Sequence, residues 1–471
     1  MTMVILAAGL GTRMKSSRAK VLHRAGGMTL VEHVVGTALQ LTSPERVFVV
    51  VGYQASEVRA LLAGRGVRFI DQPEQKGTGH ALMVGRAVLS RLDGSLVVLY
   101  GDCPLISAGT LRRLVEEQGR SGAAAIVITT MLDDPTGYGR VIHDPAGTVA
   151  AIVEQKAATP AELAIREINS GVYCFRADRL WAELDKIRHD NPAREYYLTD
   201  IVGLFNRAGD RVRSMRVDDP IEVLGINNRL ELAAVDRLLR ERKGCELMLE
   251  GVTIEKPETV TIDAPARIGQ DTLVEPFVQI RGATVIGSGC RIGACSIIED
   301  SQLADGVEIL PFTHIVGAAL EAGAKAGPYA RLRPGAHVEA GAHVGNFVEL
   351  KKTRLGAGSK AMHLAYLGDS EIGRDVNIGA GTITCNYDGL KKHRTKIGDG
   401  AFVGSHATLV APVEIGANSY LGAGSVITDP VPAEALALGR ARQVVKPGWA
   451  RKRKAKAEVR KAGQTTSGIN A

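Results

Sequence analysis

Two parts of the chain carry residue types that do chemistry. The first is Leu6-Ala7-Ala8-Gly9-Leu10-Gly11-Thr12-Arg13-Met14-Lys15, a glycine-rich turn after a short aliphatic run, trailed by Arg18 and Lys20. Free backbone N–H groups beside cations suit a triphosphate. The spacing fits neither a P-loop nor a dinucleotide fingerprint, since Met14 stands where the third glycine belongs. A plain tight turn with solvated charges accounts for it equally well. Tyr100-Gly101-Asp102-Cys103-Pro104 places Asp102 where a strand should end. One carboxylate beside substrate phosphates is how proteins commonly hold Mg2+; a lone Asp is otherwise a cap. Turn and carboxylate together point to nucleotidyl transfer, in which metal and cations offset the charge at an attacked α-phosphate.

The second part holds Arg331, Arg333, Lys351, Lys352, His363 and Tyr366, with Asn377, Asn386, Tyr387 and Ser405 further on. Basic residues on adjacent turns of chain can bind a sugar phosphate. A histidine among them can take a proton from an attacking amine, because imidazole titrates near neutral pH. His363 is one of eleven histidines, and residue type alone does not distinguish it from the others.

These residues need elements to position them. From residue 3 to 227, short β-branched runs such as Val47–Val51 and Leu96–Tyr100 alternate with helical patterns such as Thr29–Leu41 and Gly79–Leu92. That order predicts an α/β domain with a Rossmann-like parallel sheet, its ligands beyond the strands' carboxyl ends. Residues 228–250 read as one helix with a stripe of Leu230, Ala233, Ala234, Leu238 and Leu239, stopped by Gly251. The period then changes. Ile262, Ile268, Val274, Ile280, Ile286, Ile292 and Ile298 recur every six residues, as do Ile397, Val403, Leu409, Ile415, Leu421 and Ile427. Six matches a solenoid with three short faces and one inward aliphatic per face, the hexapeptide pattern of a parallel β-helix. The polar run Thr384–Arg394 interrupts it, and solenoid insertions form loops on one face. The expected domains are therefore 1–227, a helical linker 228–250, a β-helix 251–445 and a tail 446–471.

Composition excludes several classes. Glycine supplies 54 of 471 residues and aromatics only 4%, as repeated tight corners require. The tail from Lys446 carries eight Lys/Arg and one acid, Glu458, which accounts for the whole excess of 58 basic over 51 acidic residues. The body is neutral, so the basic balance does not argue for nucleic acid; the tail reads as a solvated, disordered extension. The six cysteines lack Cys-x-x-Cys or zinc-finger spacing, as expected of reduced thiols in a cytoplasmic protein. No run approaches the length of a membrane span, and the opening aliphatic run is too short for a signal peptide.

The turn and Lys20, with Gly77-Thr78-Gly79-His80-Ala81, Asp133–Arg140, Ile152-Val153-Glu154, Glu167–Gly171, Glu195–Asp200 and Asn227-Asn228-Arg229, resemble the sugar-1-phosphate nucleotidylyltransferases. The second half matches through Arg331–Gly335, Gly345–Lys352, His363–Asp369 and Asn377–Thr382. Together they resemble the bifunctional bacterial N-acetylglucosamine-1-phosphate uridylyltransferases/glucosamine-1-phosphate N-acetyltransferases, over roughly residues 3–449. The resemblance implies a left-handed β-helix, homotrimers, and a product, UDP-N-acetylglucosamine, that feeds peptidoglycan and lipopolysaccharide synthesis. It implies that Leu6, Ala7, Ala8, Gly9, Gln72, Gly77, Thr78, Tyr100 and Gly101 surround UTP. Arg13 and Lys20 would face the phosphates, Asp102 and Asn227 would hold Mg2+, and Gly139, Glu154 and Asn169 would contact the sugar. Arg333, Lys351, Tyr366 and Asn377 would bind glucosamine-1-phosphate. His363 would be the proton acceptor, while Ala380, Asn386, Tyr387, Ser405, Ala423 and Arg440 would contact acetyl-CoA. Ala19 departs from the family's proline before Lys20, which leaves φ unfixed and predicts a freer loop. A single-activity nucleotidylyltransferase with a non-catalytic solenoid is the competing enzyme reading, and a catalytically dead assembly protein the competing reading from another class.

Overall fold

Val- and Ile-rich runs become strands because both of their faces are covered. In the computed structural model, which describes residues 1–191 and 193–466, the first compact unit spans Met1–Gly289 with Ile297–Asp300. Strands Val47–Val51, Thr2–Leu6 and Ser95–Tyr100 lie side by side and parallel, with Met3 opposite both Val47 and Val97. One apolar layer, including Val31, Val34, Leu111 and Leu114, packs on one face; another, including Leu82, Leu89, Leu180 and Phe205, packs on the other. The sheet is mixed rather than wholly parallel: Glu167–Arg176 runs antiparallel to both Ser95–Tyr100 and Ala125–Met131. The cause lies in the connection. Residues 132–166 hold the hairpin strands Arg140–His143 and Val149–Val153 and a four-residue helix, Pro160–Leu163, none long enough for the helical crossover that parallel neighbours require.

The helix Arg229–Leu249 starts where Asn228 caps it, its side-chain oxygen accepting from the N–H groups of Leu230 and Glu231 at 2.9 and 3.0 Å. Its inward stripe differs from the expected one. Leu230 is 84% exposed, and Ala233 and Ala234 are exposed too. Leu232, Val235, Leu238 and Leu239 instead pack on Met14, Ala25, Leu30, Leu105 and Ile226, a spacing of three and four that keeps one face inward. Arg240 ties the helix to Asp263 at 2.7 Å. The first unit therefore continues past the helix through the first repeats, and the compact units divide within the solenoid rather than at residue 250.

The second unit comprises Cys290–Ser296 and Ser301–Ala471. Its strands form three parallel sheets. A first sheet includes His343–Asn346, Lys360–His363, Asn377–Ile378, Phe402–Val403 and Tyr420–Leu421; a second includes Arg331–Leu332, Glu349–Lys351, Tyr366–Gly368, Ile383–Cys385 and Thr408–Val410; a third includes Arg354–Leu355, Ser370–Ile372 and Thr395–Ile397. The coils turn one side chain inward per sheet, as in the register Leu332, Leu350, Leu367, all fully buried; on the next coil Thr384 takes that inward place, opposite Leu409. The five-residue step from Leu367 to Ile372 arises because Asp369 alone joins two strands, in the left-handed region at φ 49°. The polar run leaves the coil as a small hairpin closed by the antiparallel bridge Tyr387–Lys392.

The tail contains a helix over its described part. Trp449–Thr466 is helical, as a run rich in Ala, Lys and Arg favours, with the Arg453 guanidinium over the Trp449 ring at 5.0 Å. The final residues of the expected extension, 467–471, lie outside the described residues. Among the described residues, no helix is long and apolar enough to cross a membrane.

Candidate active sites

At the carboxyl end of the first unit's parallel strands, three segments meet. The Gly101 N–H donates to the Leu6 carbonyl at 2.9 Å, and the Ile226 N–H donates to the Asp102 carbonyl at 3.0 Å. Asn227 is thereby set beside Asp102 and is held from behind by Glu231, which accepts from its N–H at 2.6 Å. Into this corner reach two cations. Arg13 Nη2 donates to Asn227 Oδ1 at 2.7 Å, Lys20 Nζ donates to the same oxygen at 3.3 Å, and Lys20 also pairs with the Asp102 carboxylate. Gly11, at φ 64°, makes room: a Cβ there would stand 2.5 Å from Lys20 Cβ. Asp102 and Asn227 thus aim one carboxylate oxygen and one amide oxygen at a single ammonium. Among the described residues no three His, Cys, Asp or Glu converge as a cation cage. Two hard oxygens without a cage are what Mg2+ accepts when substrate phosphates and water complete its shell, so the residues present fit that ion.

The expected uridine and sugar residues line the same end. Ala7 and Ala8 are buried there. Buried Gln72 donates from Nε2 to the Gly77 carbonyl at 3.1 Å and lies 3.1 Å from His80 Nδ1. Thr78 Oγ1 accepts from the Leu198 N–H at 3.1 Å. The Tyr100 phenol, hydrogen-bonded to Thr78, is pushed well above its usual value by burial, with Glu154 adding to the effect. Gly139 accepts from the Asn169 N–H at 2.9 Å, and a Cβ on Gly139 would lie 3.7 Å from both Asn169 and Glu154. Those three residues therefore share one edge. His80, part of the Gly77–Ala81 motif but assigned no role from the sequence, meets Gln72 across a turn that no periodicity reveals.

Burial pushes the Glu154 carboxyl above its ordinary value of 4.5; Thr199, donating at 3.2 Å, opposes this, and Asp200 and Glu195 reinforce it. The native state thus holds the proton more tightly than the unfolded chain. Stability from this group is fully present below the unfolded value and falls as pH rises through the raised native value. Glu154→Gln should raise the thermal midpoint at pH 8, by an amount that narrows towards pH 5, while lowering the expected uridylyl transfer by about tenfold, because the expected contact to the sugar would lose its charge. Thermal melts at both pH values with a pyrophosphate-release assay check both outcomes.

In the second unit, His363 ends a strand of the first sheet with Asn346 opposite it in register. His363 Nδ1 lies 2.7 Å from Asn346 Oδ1. With Nδ1–H donating to that acceptor, Nε2 carries the lone pair; the residue is exposed. One coil on, the Gly381 N–H donates to the His363 carbonyl at 3.4 Å, and from there the same corner runs through four of the expected acetyl-CoA residues, Ala380, Ser405, Ala423 and Arg440, while Asn386 and Tyr387 lie elsewhere. His406 N–H donates to the Ala380 carbonyl at 2.7 Å and Gly424 N–H to that of Ser405 at 2.8 Å. Arg440 Nη1 donates to the Ala423 carbonyl at 3.0 Å.

Arg333, Lys351 and Tyr366 stand on or beside the second sheet. Arg333 donates to Glu349 at 2.9 Å, and Lys351 lies opposite Gly368. A Cβ on Gly368 would stand 2.5 Å from Tyr366 Oη and 2.7 Å from Asn386 Nδ2, so only glycine lets both approach. Asn386 donates to Asp369 at 2.5 Å, and Tyr387, 60% exposed, donates to the Gly389 carbonyl at 2.6 Å. Asn377 is not with this group; it lies on the first sheet between Lys360 and Phe402. Lys392 joins it unannounced by the sequence: the Lys351 ammonium beside it pulls its own ammonium below the ordinary value. Two adjacent ammoniums call for an anion.

Comparison with known proteins places this geometry. Residues 3–199 match the MobA-like NTP transferase domain family. Residues 265–300 and 394–429 match the bacterial transferase hexapeptide (six repeats) family, in keeping with a left-handed parallel β-helix after an α/β nucleotidyltransferase domain. The chain is 61% identical over 454 residues to "Bifunctional protein GlmU" of Solibacter usitatus, covering 96% of this chain and 97% of that one. It is 50% identical over 460 residues to the protein of the same name from Koribacter versatilis, covering 97% and 98%.

Proposed function

This chain belongs to the bifunctional GlmU family, and on that premise we propose how its residues divide the work. The protein is a two-activity transferase: it acetylates glucosamine-1-phosphate from acetyl-CoA, then joins the product to UTP, releasing pyrophosphate and UDP-N-acetylglucosamine for cell-wall synthesis. Residues 1–227 carry uridylyl transfer and residues 251–445 acetyl transfer.

In the first reaction the substrate amine attacks the thioester carbonyl, its proton passes to His363 Nε2, and as the carbon–sulfur bond breaks that proton passes on to the departing sulfur, so that CoA leaves as the thiol. Arg333, Lys351, Tyr366 and Asn377 hold the sugar phosphate; Ala380, Asn386, Tyr387, Ser405, Ala423 and Arg440 hold acetyl-CoA. The first of these groups is split between two sheets, which supports a homotrimer in which neighbouring copies complete each acetyl site. In the second reaction an oxygen of the sugar phosphate attacks the α-phosphorus of UTP and pyrophosphate departs. Arg13 and Lys20 offset the negative charge, Gln72 and Thr78 hold the base, and Glu154 and Asn169 hold the sugar. A divalent cation, proposed as Mg2+ on Asp102 and Asn227, supplies charge neutralisation when bound. Six free cysteines support a reducing cytoplasm.

The observation that carries the reading is the meeting of Arg13, Lys20, Asp102 and Asn227 in one unit while the imidazole of the other is oriented by Asn346. Chelation tests it. EDTA should abolish pyrophosphate release and leave acetyl transfer within about twofold. Release that persists in EDTA, or equal loss of both reactions, contradicts it.

A further inference from the structure

The segment just before Lys20 is hydrogen-bonded by a residue that neither motif contains. Gln54 heads the helix Ala55–Leu62. Its Oε1 accepts from the Ala19 N–H at 2.7 Å, and its Nε2 donates to the Ser17 carbonyl at 3.1 Å. Tyr53 Oη donates to that same carbonyl at 2.9 Å. One side-chain amide therefore closes both ends of the segment 17–19, across 35 positions of sequence. Gln54 sits in the left-handed region at φ 52°, a conformation unfavourable for an L-residue, and in it the side chain makes two hydrogen bonds to this one segment. Ala19 itself is fully buried, with φ −55° and ψ 139°. The backbone N–H that a proline at position 19 would lack is the group Gln54 grips.

We propose that Gln54 is a positioning residue for uridylyl transfer, fixing the 17–19 backbone so that Lys20 meets Asp102, Asn227 and the substrate phosphates. The inference rests on the role proposed for Lys20. The geometry at Ala19 provides a test, because its φ already lies in proline's range. A pyrrolidine ring can hold by covalent restraint what the amide holds by hydrogen bonding.

Gln54→Met keeps the length of the side chain and removes both hydrogen bonds; Gln54→Gly removes the side chain and relieves the positive φ. Each should lower kcat for uridylyl transfer by about five- to tenfold, the worth of one to two hydrogen bonds, with KM for UTP changed less and acetyl transfer by the same protein unchanged. Combined with Ala19→Pro, either substitution should become silent within about twofold. Lys20→Met is measured alongside. If it loses activity while both Gln54 variants keep it, or if Ala19→Pro restores nothing, the positioning role is overturned and the role of Lys20 stands. If Lys20→Met keeps full activity, both fall.

Discussion

His363→Ala should lower acetyl transfer by about 10²- to 10⁴-fold, the usual worth of a positioned base, and leave uridylyl transfer within about twofold. The size follows from the geometry of the imidazole. Asn346 Oδ1, 2.7 Å from Nδ1, fixes the tautomer in which Nε2 is the acceptor, and the ring stands at the corner where Ala380, Ser405 and Ala423 follow one another. Without it, the amine attacking the thioester must lose its proton to water. The independence of the other reaction follows because the uridylyl residues belong to a separate compact unit. Thiol release from acetyl-CoA and pyrophosphate release from UTP, measured on one preparation, check both halves. Equal loss of both activities, or an unaltered acetyl rate, refutes the assignment.

Asp102→Ala should cost uridylyl transfer about 10³-fold or more at limiting magnesium, with acetyl transfer intact. Two contributions add in the same direction. The variant removes the carboxylate aimed at the candidate metal position, and it removes the ion-pair partner of Lys20, leaving that ammonium to drift towards Asn227. Asp102→Asn separates these effects. It preserves volume and one oxygen but halves the ligand's acceptor capacity and removes its charge, so excess magnesium should restore part of its activity, as it should not for alanine. Pyrophosphate release titrated against magnesium checks this, and unchanged release by the alanine variant at low magnesium dismisses Asp102 as a ligand.

Much of this was legible from residue order because it is local. The six-residue spacing of Ile, Val and Leu dictates one inward side chain per strand, and the strands carry it out coil after coil. The turn before Lys20 and the strand before Asp102 lie at adjoining strand ends because aliphatic runs of similar length pair in parallel. What escaped was long-range or directional. The antiparallel strand Glu167–Arg176 depends on what the preceding connection lacks, which no run of residues advertises. The stripe of Arg229–Leu249 was misplaced because Ala233 and Ala234 are as compatible with solvent as with a core. Lys392 looked like one more charge in a polar loop until the hairpin brought it to Lys351. Gln54 had no motif to mark it; only the fold sets it against Ala19. The tail's charge masked a composition that favours helix.

Incubation of the purified chain with UTP, magnesium, glucosamine-1-phosphate and acetyl-CoA, leaving out each in turn, separates the two reactions in one tube. The complete mixture should yield UDP-N-acetylglucosamine and one pyrophosphate per CoA thiol released. Without UTP or magnesium, N-acetylglucosamine-1-phosphate should accumulate; without acetyl-CoA, no pyrophosphate should appear. A chain that releases pyrophosphate from UTP when supplied with N-acetylglucosamine-1-phosphate but never liberates CoA, or one that does neither, contradicts two catalysts in one polypeptide.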